Sequence, residues 1–373
     1  MQKCNKIKVV VLGTRGFPNI QGGIETHCHN LYSRLNTNGC KVIVLGRQPY
    51  TKSDVINCNG ARVLPLTSSK NKYTEAFSHT LRGVLFTRRI RPDIVHFHAI
   101  GPSLFVPLAR LFGMKVVMTH HGPDYRRDKW GWLAKTVLKL GERLGCKYAN
   151  QIIAISSGIK THIKEKFNKD AYLIPNGIEF TEPAKESVYV KTLGLTCGKY
   201  ILAVARFVPE KGLHNLISAF SNLQTDWKLV IAGDADHETT YSRKLKSKVE
   251  NNRNIVLTGF IKGNQLNEIY SHAGLFVLPS YHEGLPIVLL EALSYGLSVL
   301  VSNIAPNIEI GLDESRYFAV GDEEALAQKL DDWINKSMMS KEEQAKQIEM
   351  ITQKYNWNNI AKQTLRVYES VIL

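Results

Sequence analysis

Paired cysteines are missing from this chain. Its six cysteines (Cys4, Cys28, Cys40, Cys58, Cys146, Cys197) are scattered, with no Cys-x-x-Cys spacing and no histidines at zinc-finger intervals. That excludes a disulfide scaffold and a structural zinc module and points to a reducing cytosol. Long hydrophobic runs are missing too. No stretch reaches the roughly 18 uninterrupted apolar residues of a spanning helix. The apolar residues 9–12, after a polar and basic start, are too few for a signal-peptide core and read as a buried strand. Solenoid-period repeats and low-complexity tracts are also absent. The expectation is a protein that is neither exported nor transmembrane.

Acidic residues are scarce in one half only. Residues 1–190 hold 29 Lys plus Arg against 12 Asp plus Glu, residues 191–373 hold 19 against 21, and the whole chain carries +15. The first half is therefore expected either to be a solvated basic surface or to face something anionic, lipid or nucleic acid. No recognised nucleic-acid module accompanies the charge, which argues against nucleic acid as partner.

What is present is a globular composition, 44% hydrophobic and 22% charged over 373 residues, long enough for two cores. Short apolar runs at 8–12, 41–45, 94–97, 116–118 and 152–155 alternate with amphipathic stretches, the rhythm of βαβ units around a buried parallel sheet. A second series begins at 200–205 and continues at 228–232, 255–257, 275–278 and 298–301. Turn formers around Pro175–Pro183 place a linker at about 178–198. The reading is α/β, two Rossmann-like doubly wound domains: 1–185, 186–355, and a terminal amphipathic helix over 356–373 that packs back on the first domain.

Chemistry gathers at the ends of these strands. Glu283-Gly284-Leu285-Pro286-Ile287-Val288-Leu289-Leu290-Glu291 follows the strand 275–278 and reads as loop then helix start, with Pro286 in the first turn and the amides near Gly284, Leu285 and Ile287 offering an anion site. Glu291 interrupts an apolar run, and a buried carboxylate needs donors. Sugar hydroxyls would serve, whereas a lone Glu in such a place more often pairs with a lysine or caps a loop. Ahead of it, Arg206 and Lys211 end the first strand of the second series, where ligands bind in such sheets, and would supply a fork and a point charge to a diphosphate.

Arg-x4-Lys followed by Glu-x7-Glu resembles family 4 of the retaining GT-B glycosyltransferases, over essentially the whole chain. The resemblance implies two domains facing across a cleft. It implies that Arg206 and Lys211 hold donor phosphates, that Glu283 contacts the donor sugar and that Glu291 contacts the ribose. Gly22-Gly23-Ile24-Glu25, preceded by Gln21, is similar to the family's Gly-Gly-x-Glu donor loop. His121 of Thr119-His120-His121-Gly122 falls on the family's Thr-x-His-Gly pattern, beside the anomeric centre. The catalytic set is His121, Glu283, Arg206 and Lys211; the donor-binding set is Gly22, Gly23, Arg206, Lys211, Gly233, Gly259, Glu283, Gly284, Leu285, Pro286 and Glu291. Gly13-Thr14-Arg15-Gly16-x-Pro18 and His121–Trp130 also resemble a bacterial subset of rhamnosyltransferase-like and exopolysaccharide enzymes, which often carry Glu-Trp where this chain has Asp124-Tyr125.

Three features remain open in the sequence. Asp234-Ala235-Asp236 fits a metal-binding Asp-x-Asp, yet also resembles the family's Gly-Asp turn, so no metal site and no cofactor are expected beyond a UDP-, GDP- or dTDP-linked sugar substrate. His96, His98 and His120 lie at strand ends and read as structural or acceptor-contacting. The stretch 126–147 interleaves Trp130, Trp132, Leu133, Val137, Leu140 and Leu144 with Lys129, Lys135, Lys139 and Arg143. It is either an ordinary core helix or an interfacial one meeting anionic lipid. Together these imply a cytoplasmic glycosyltransferase peripheral to the inner membrane face, acting with retention on a glycan or lipid-linked acceptor of cell-surface polysaccharide. The alternatives are a nucleotide-sugar epimerase or a phosphorylase of related fold, or a basic nucleic-acid-binding protein.

Overall fold

The computed structural model describes residues 6–20, 22–48, 50–51, 56–69, 71, 74–126, 130–335 and 339–373. Gln21 of the Gly-Gly loop and Arg127, Asp128 and Lys129 of the basic-aromatic stretch lie outside the described residues. The chain divides into two compact units, residues 1–177 with 355–373, and residues 178–354.

The first unit is built on strands β1 (Ile7–Leu12), β2 (Cys40–Arg47), β3 (Ile56–Cys58), β4 (Ala61–Leu66), β5 (Ile94–His98), β6 (Val116–His120), β7 (Gln151–Ala154) and β8 (Tyr172–Leu173). They form one sheet in the order β3-β4-β2-β1-β5-β6-β7-β8. All pairings are parallel except the antiparallel β3–β4 hairpin. The residues of β1 explain the wrapping: Val9 and Val11 join a core with Leu31 and Leu35 of the helix Gly23–Thr37 and Tyr368 of the helix Trp357–Ile372. Val10 and Leu12 join Val84 and Val106 on the opposite face. A strand buried on both faces needs no polar alternation, which is why it reads as an unbroken apolar run.

The second unit repeats the plan with β9 (Tyr200–Val204), β10 (Lys228–Ala232), β11 (Ile255–Gly259), β12 (Leu275–Leu278), β13 (Val299–Ser302) and β14 (Tyr317–Phe318), ordered β11-β10-β9-β12-β13-β14 and wholly parallel. Ile201, Ala203, Leu229 and Ile231 pack on Leu216 and Phe220 of the helix Leu213–Ser221 and on Leu326 and Leu330 of the helix Glu323–Ile334. Residues 178–198 dock on this unit: the Ala184 amide donates to Ser271 Oγ at 2.8 Å and the Tyr189 amide to Glu268 Oε2 at 2.7 Å. A short helix, Val188–Thr192, lies within the stretch read as linker.

In each sheet the crossovers reverse direction beside the first strand, between β1 and β5 and between β9 and β12. Crevices at the carboxyl ends of such strands are where open α/β sheets bind ligands.

Candidate functional site

At the reversal point of the second unit, β9 runs into Arg206 and the turn Pro209–Lys211, while β12 runs into 279–286. Gly212 locks the two loops together. Its φ of +63° is left-handed, and a Cβ there would strike the Pro279 carbonyl. The close approach delivers Lys211 to Glu283, Nζ to Oε1 at 2.6 Å, and Ser280 Oγ donates to the same carboxylate oxygen at 2.7 Å. Arg206 donates from Nη1 to Asp236 Oδ2 at 2.8 Å. The sheet thus gathers two cations, each oriented by a carboxylate.

Pro286 caps the helix Ile287–Ser294, one position ahead of its expected place in the first turn, and no side chain caps it. Leu285 and Ile287 are buried beside that start. Four residues in, the half-buried Glu291 accepts one hydrogen bond through Oε2, from the Tyr270 hydroxyl at 3.1 Å, and meets no lysine among the described residues. Burial raises its pKa to about 7, the Tyr270 hydrogen bond only partly offsetting it. Oε1 has no protein partner among the described residues and is available to a hydroxyl. On the β10–β11 side, the Gly233 amide donates to the Gly259 carbonyl at 2.9 Å, which joins the two expected glycines at the strand ends.

The Asp-x-Asp carboxylates both hold cations. Asp236 is engaged by Arg206, while Asp234 Oδ1 takes Lys246 Nζ at 2.9 Å and the Ala235 amide at 2.7 Å. Each of the two carboxylates is paired with its own cation.

In the first unit, Gly22 is the N-cap of the helix that opens at Gly23, in a conformation (φ +151°) that favours glycine. A Cβ on Gly22 would collide with the Glu25 carboxylate, which holds Arg15 through its backbone amide at 3.1 Å and Nε at 3.2 Å. Gly23 has open space where a Cβ would sit, so its backbone face is left bare at a helix mouth. His121, just past β6, is half-buried and meets His98 of β5, Nε2 to Nδ1 at 2.9 Å. Burial first, then the neighbouring His27, His120 and His96, hold His121 well below the ordinary histidine pKa. It is a neutral imidazole at neutral pH.

Two groupings escaped the sequence reading. His27 comes from the helix Gly23–Thr37 and packs edge-on against His121, with ring centroids 5.0 Å apart. Its signal was its place one turn after Gly23, which puts it at the same strand-end crevice. Glu142, fully buried on the helix Trp132–Tyr148, takes His120 Nε2 at 3.0 Å, His162 Nε2 at 3.0 Å and Lys166 Nζ at 2.7 Å. Burial alone would raise its pKa, but the hydrogen bonds from His120 and Lys166 outweigh that and hold it at about 2. His120, bonded also to the Gly122 amide, is thereby fixed beside His121 rather than presented to a ligand.

The same helix packs on its sheet through small residues. Its inward face is Gly141, Glu142, Gly145 and Cys146, and the two glycines let it lie against Ile100, Ser103 and Met118. Trp132 is 79% exposed and Leu133 62%, with Val137 and Leu140 also exposed. Leu138 packs inward on Ile100 and Met118, so the helix has a packed face and an exposed apolar one.

Comparison with known proteins is consistent with this geometry. Residues 21–182 match the family described as Glycosyltransferase Family 4, and residues 193–354 match the family described as Glycosyl transferases group 1. An uncharacterized glycosyltransferase of Methanocaldococcus jannaschii is 27% identical, covering 94% of this chain and 95% of that protein. A candidate teichuronic acid biosynthesis glycosyltransferase of Bacillus subtilis is 29% identical over 58% of this chain, and the match spans about half of that relative, 54%. A UDP-Gal:alpha-D-GlcNAc-diphosphoundecaprenol alpha-1,3-galactosyltransferase of Escherichia coli is 30% identical over 58% of this chain and 59% of its own. Among solved structures, a sucrose-phosphate synthase from Thermosynechococcus elongatus superposes with a TM-score of 0.83 at 18% identity, covering 98% of this chain and 99% of that one. Anabaena HepE in complex with UDP-glucose does so with 0.80 at 17%, covering 98% and 100%.

Proposed function

Because this chain belongs to family 4 of the GT-B glycosyltransferases, we propose that it moves a sugar from a nucleotide-sugar donor, with retention of anomeric configuration and without a metal ion, onto a glycan or lipid-linked acceptor of cell-surface polysaccharide. The observation that carries the reading is the Lys211–Glu283 pair at 2.6 Å, with Arg206 on the same loop after β9 held by Asp236. A diphosphate bound there meets one forked and one point cation already oriented, and the same charges stabilise the departing nucleoside diphosphate. Glu283 then accepts from hydroxyls of the donor sugar and Glu291 from the ribose. Gly22 and Gly23, by their likeness to the family's donor loop, give backbone access to a phosphate.

In the proposed reaction the acceptor oxygen bonds to the anomeric carbon on the face from which the phosphate oxygen departs, and that phosphate oxygen takes the acceptor proton. His121, neutral at working pH, acts by hydrogen bonding rather than as a cation. The Escherichia coli relative's UDP-galactose and the Anabaena protein's UDP-glucose make UDP-hexoses the first donors to screen. Nucleotide-sugars that bind the folded protein raise its melting temperature.

We further propose that the helix Trp132–Tyr148 rests on anionic lipid, with Trp132, Leu133, Val137 and Leu140 at the headgroups and Lys135, Lys139 and Arg143 around them. No helix among the described residues is long and apolar enough to cross a membrane. In the test of the transfer site, Lys211→Ala and Glu283→Gln each lower turnover by about 100-fold or more, the loss expected for one charge-stabilising contact, with the circular dichroism melt retained. Wild-type turnover in either variant overturns the assignment.

A further inference from the structure

Sugar transfer as proposed asks nothing of His27 or His98, yet both are built around His121. One ring nitrogen from each of His27, His98 and His121 lies within 4.8 Å of the others. We infer that this trio is a binding site for a borderline divalent transition-metal ion such as zinc or cobalt, and that an ion held there withdraws His121 from transfer. The inhibitory half rests on the role given to His121 above; the binding half does not.

His27 supplies the independent observation. Its Nδ1 lies 2.9 Å from the Asn176 side-chain oxygen, an acceptor, so Nδ1 carries the proton and Nε2 carries the lone pair. The residue is 2% exposed, and Nε2 has no hydrogen-bond partner among the described residues. An unpaired buried acceptor is costly to the fold, and a ligand at that nitrogen would recover the cost.

His98 is held in a matching state. An assignment compatible with its contacts has His98 Nε2–H donating to the Tyr32 hydroxyl, His96 Nδ1 accepting from the Tyr368 and Tyr32 hydroxyls at 2.6 and 2.9 Å, and His96 Nε2–H donating to Thr119 Oγ1 at 2.7 Å. That leaves the His98 Nδ1 lone pair facing His121 Nε2, 2.9 Å away. Each inner nitrogen of His27 and His98 is thus backed by a hydrogen bond on the outer one, the arrangement that orients imidazoles for metals. In the ion-free chain the 2.9 Å contact then has His121 Nε2–H donating to His98 Nδ1; moving that proton to His121 Nδ1 frees Nε2 for the ion, and no net proton is released.

The ligand set fixes the ion class. Three imidazoles with no carboxylate suit zinc, cobalt, nickel or copper rather than magnesium or calcium. Zinc–nitrogen bonds of about 2.0–2.1 Å in a tetrahedron put the nitrogens about 3.4 Å apart, inside the span the trio already shows. His121, half-buried, leaves the fourth position to solvent. The other histidine cluster, His120 and His162 on Glu142, offers no such place because the Lys166 ammonium already fills it.

The test titrates untagged, chelator-stripped full-length protein with cobalt(II) alone and reads the visible spectrum. The expected result is one equivalent with the intense absorption of a tetrahedral site, displaced by zinc, with affinity at least tenfold weaker in His27→Gln and unchanged in His162→Gln. If His27→Gln does not fold, His121→Gln at the rim of the cluster carries the same comparison. Spectra of the hydrated ion only, or equal affinity in wild type and the ligand variants, overturn the site. Zinc should also slow transfer, and a chelator should restore it. His27-dependent cobalt binding with transfer indifferent to zinc overturns the inhibitory half alone, and because cobalt binding needs no sugar donor, it is judged whether or not the transfer reading stands.

Discussion

Glu291 carries a carboxyl whose proton is worth something to the fold. Its ordinary pKa of 4.5 is raised to about 7 by burial, so the protonated form is the one the folded chain favours. The stability this contributes is full below about 4.5 and is lost as pH rises through 7, by at most about 3 kcal/mol if the whole shift is expressed. Donor binding has the opposite sign. Ribose hydroxyls donate to the ionised carboxylate, so nucleotide affinity should climb between pH 6 and 8 as the ligand-free chain becomes less stable. Glu291→Gln, which never ionises, should melt higher than wild type at pH 8, match it near pH 5, and bind the nucleotide weakly at both. Calorimetry at the two pH values reads all of this, and nucleotide affinity equal to wild type at pH 8 in the variant removes Glu291 from the ribose.

At the scale of single elements, the helix Trp132–Tyr148 spends its large apolar side chains on solvent and its small ones on the sheet. Replacing Trp132 and Leu133 together by serine should leave stability within about 0.5 kcal/mol, since neither is packed. Binding to vesicles containing phosphatidylserine should weaken at least about tenfold, given roughly 1.5–3 kcal/mol for each apolar side chain withdrawn from water. Sedimentation with such vesicles measures it, and unchanged binding would falsify the lipid-facing reading. Elements also show what sequence can carry. Strands such as β1 and β12 were legible because burial on both faces writes an unbroken apolar run. The β3–β4 hairpin and the two-residue β8 and β14 were not, because so few residues at a sheet edge leave no period. At the site, Lys211 and Glu283 were each legible as candidates because each follows a strand end at the family's spacing, but their ion pair was not, since it needs β9 and β12 to lie side by side. The His27–His98–His121 grouping was not, because a helix and two strand ends far apart in the chain meet only through the β1-β5-β6 order.

The whole molecule keeps two sets of books for stability, one core in each unit, and the chain's last helix belongs to the first. Trp357 is 2% exposed, its ring lies where a Cβ on Gly177 would fall, and Ile360, Val367 and Tyr368 share a core with Val9 and Leu31. Lys115 Nζ donates to the Ile372 carbonyl at 2.7 Å, and the Tyr368 hydroxyl reaches His96 Nδ1 at 2.6 Å. Trp357→Ala therefore opens a cavity more than 180 residues away in sequence from most of the core it damages, at a cost of about 3–5 kcal/mol. Units with separate cores unfold separately when one is weakened. Hydrogen exchange resolved by segment should show protection lost across 6–177 in this variant, while 178–354 keeps its own. The helix Lys341–Lys354, adjacent in sequence, packs on Ile287–Ser294 and should stay protected. An equal fall in both units would mean that the two cores unfold as one, and the division drawn at 177 and 355 would then be geometric without being energetic.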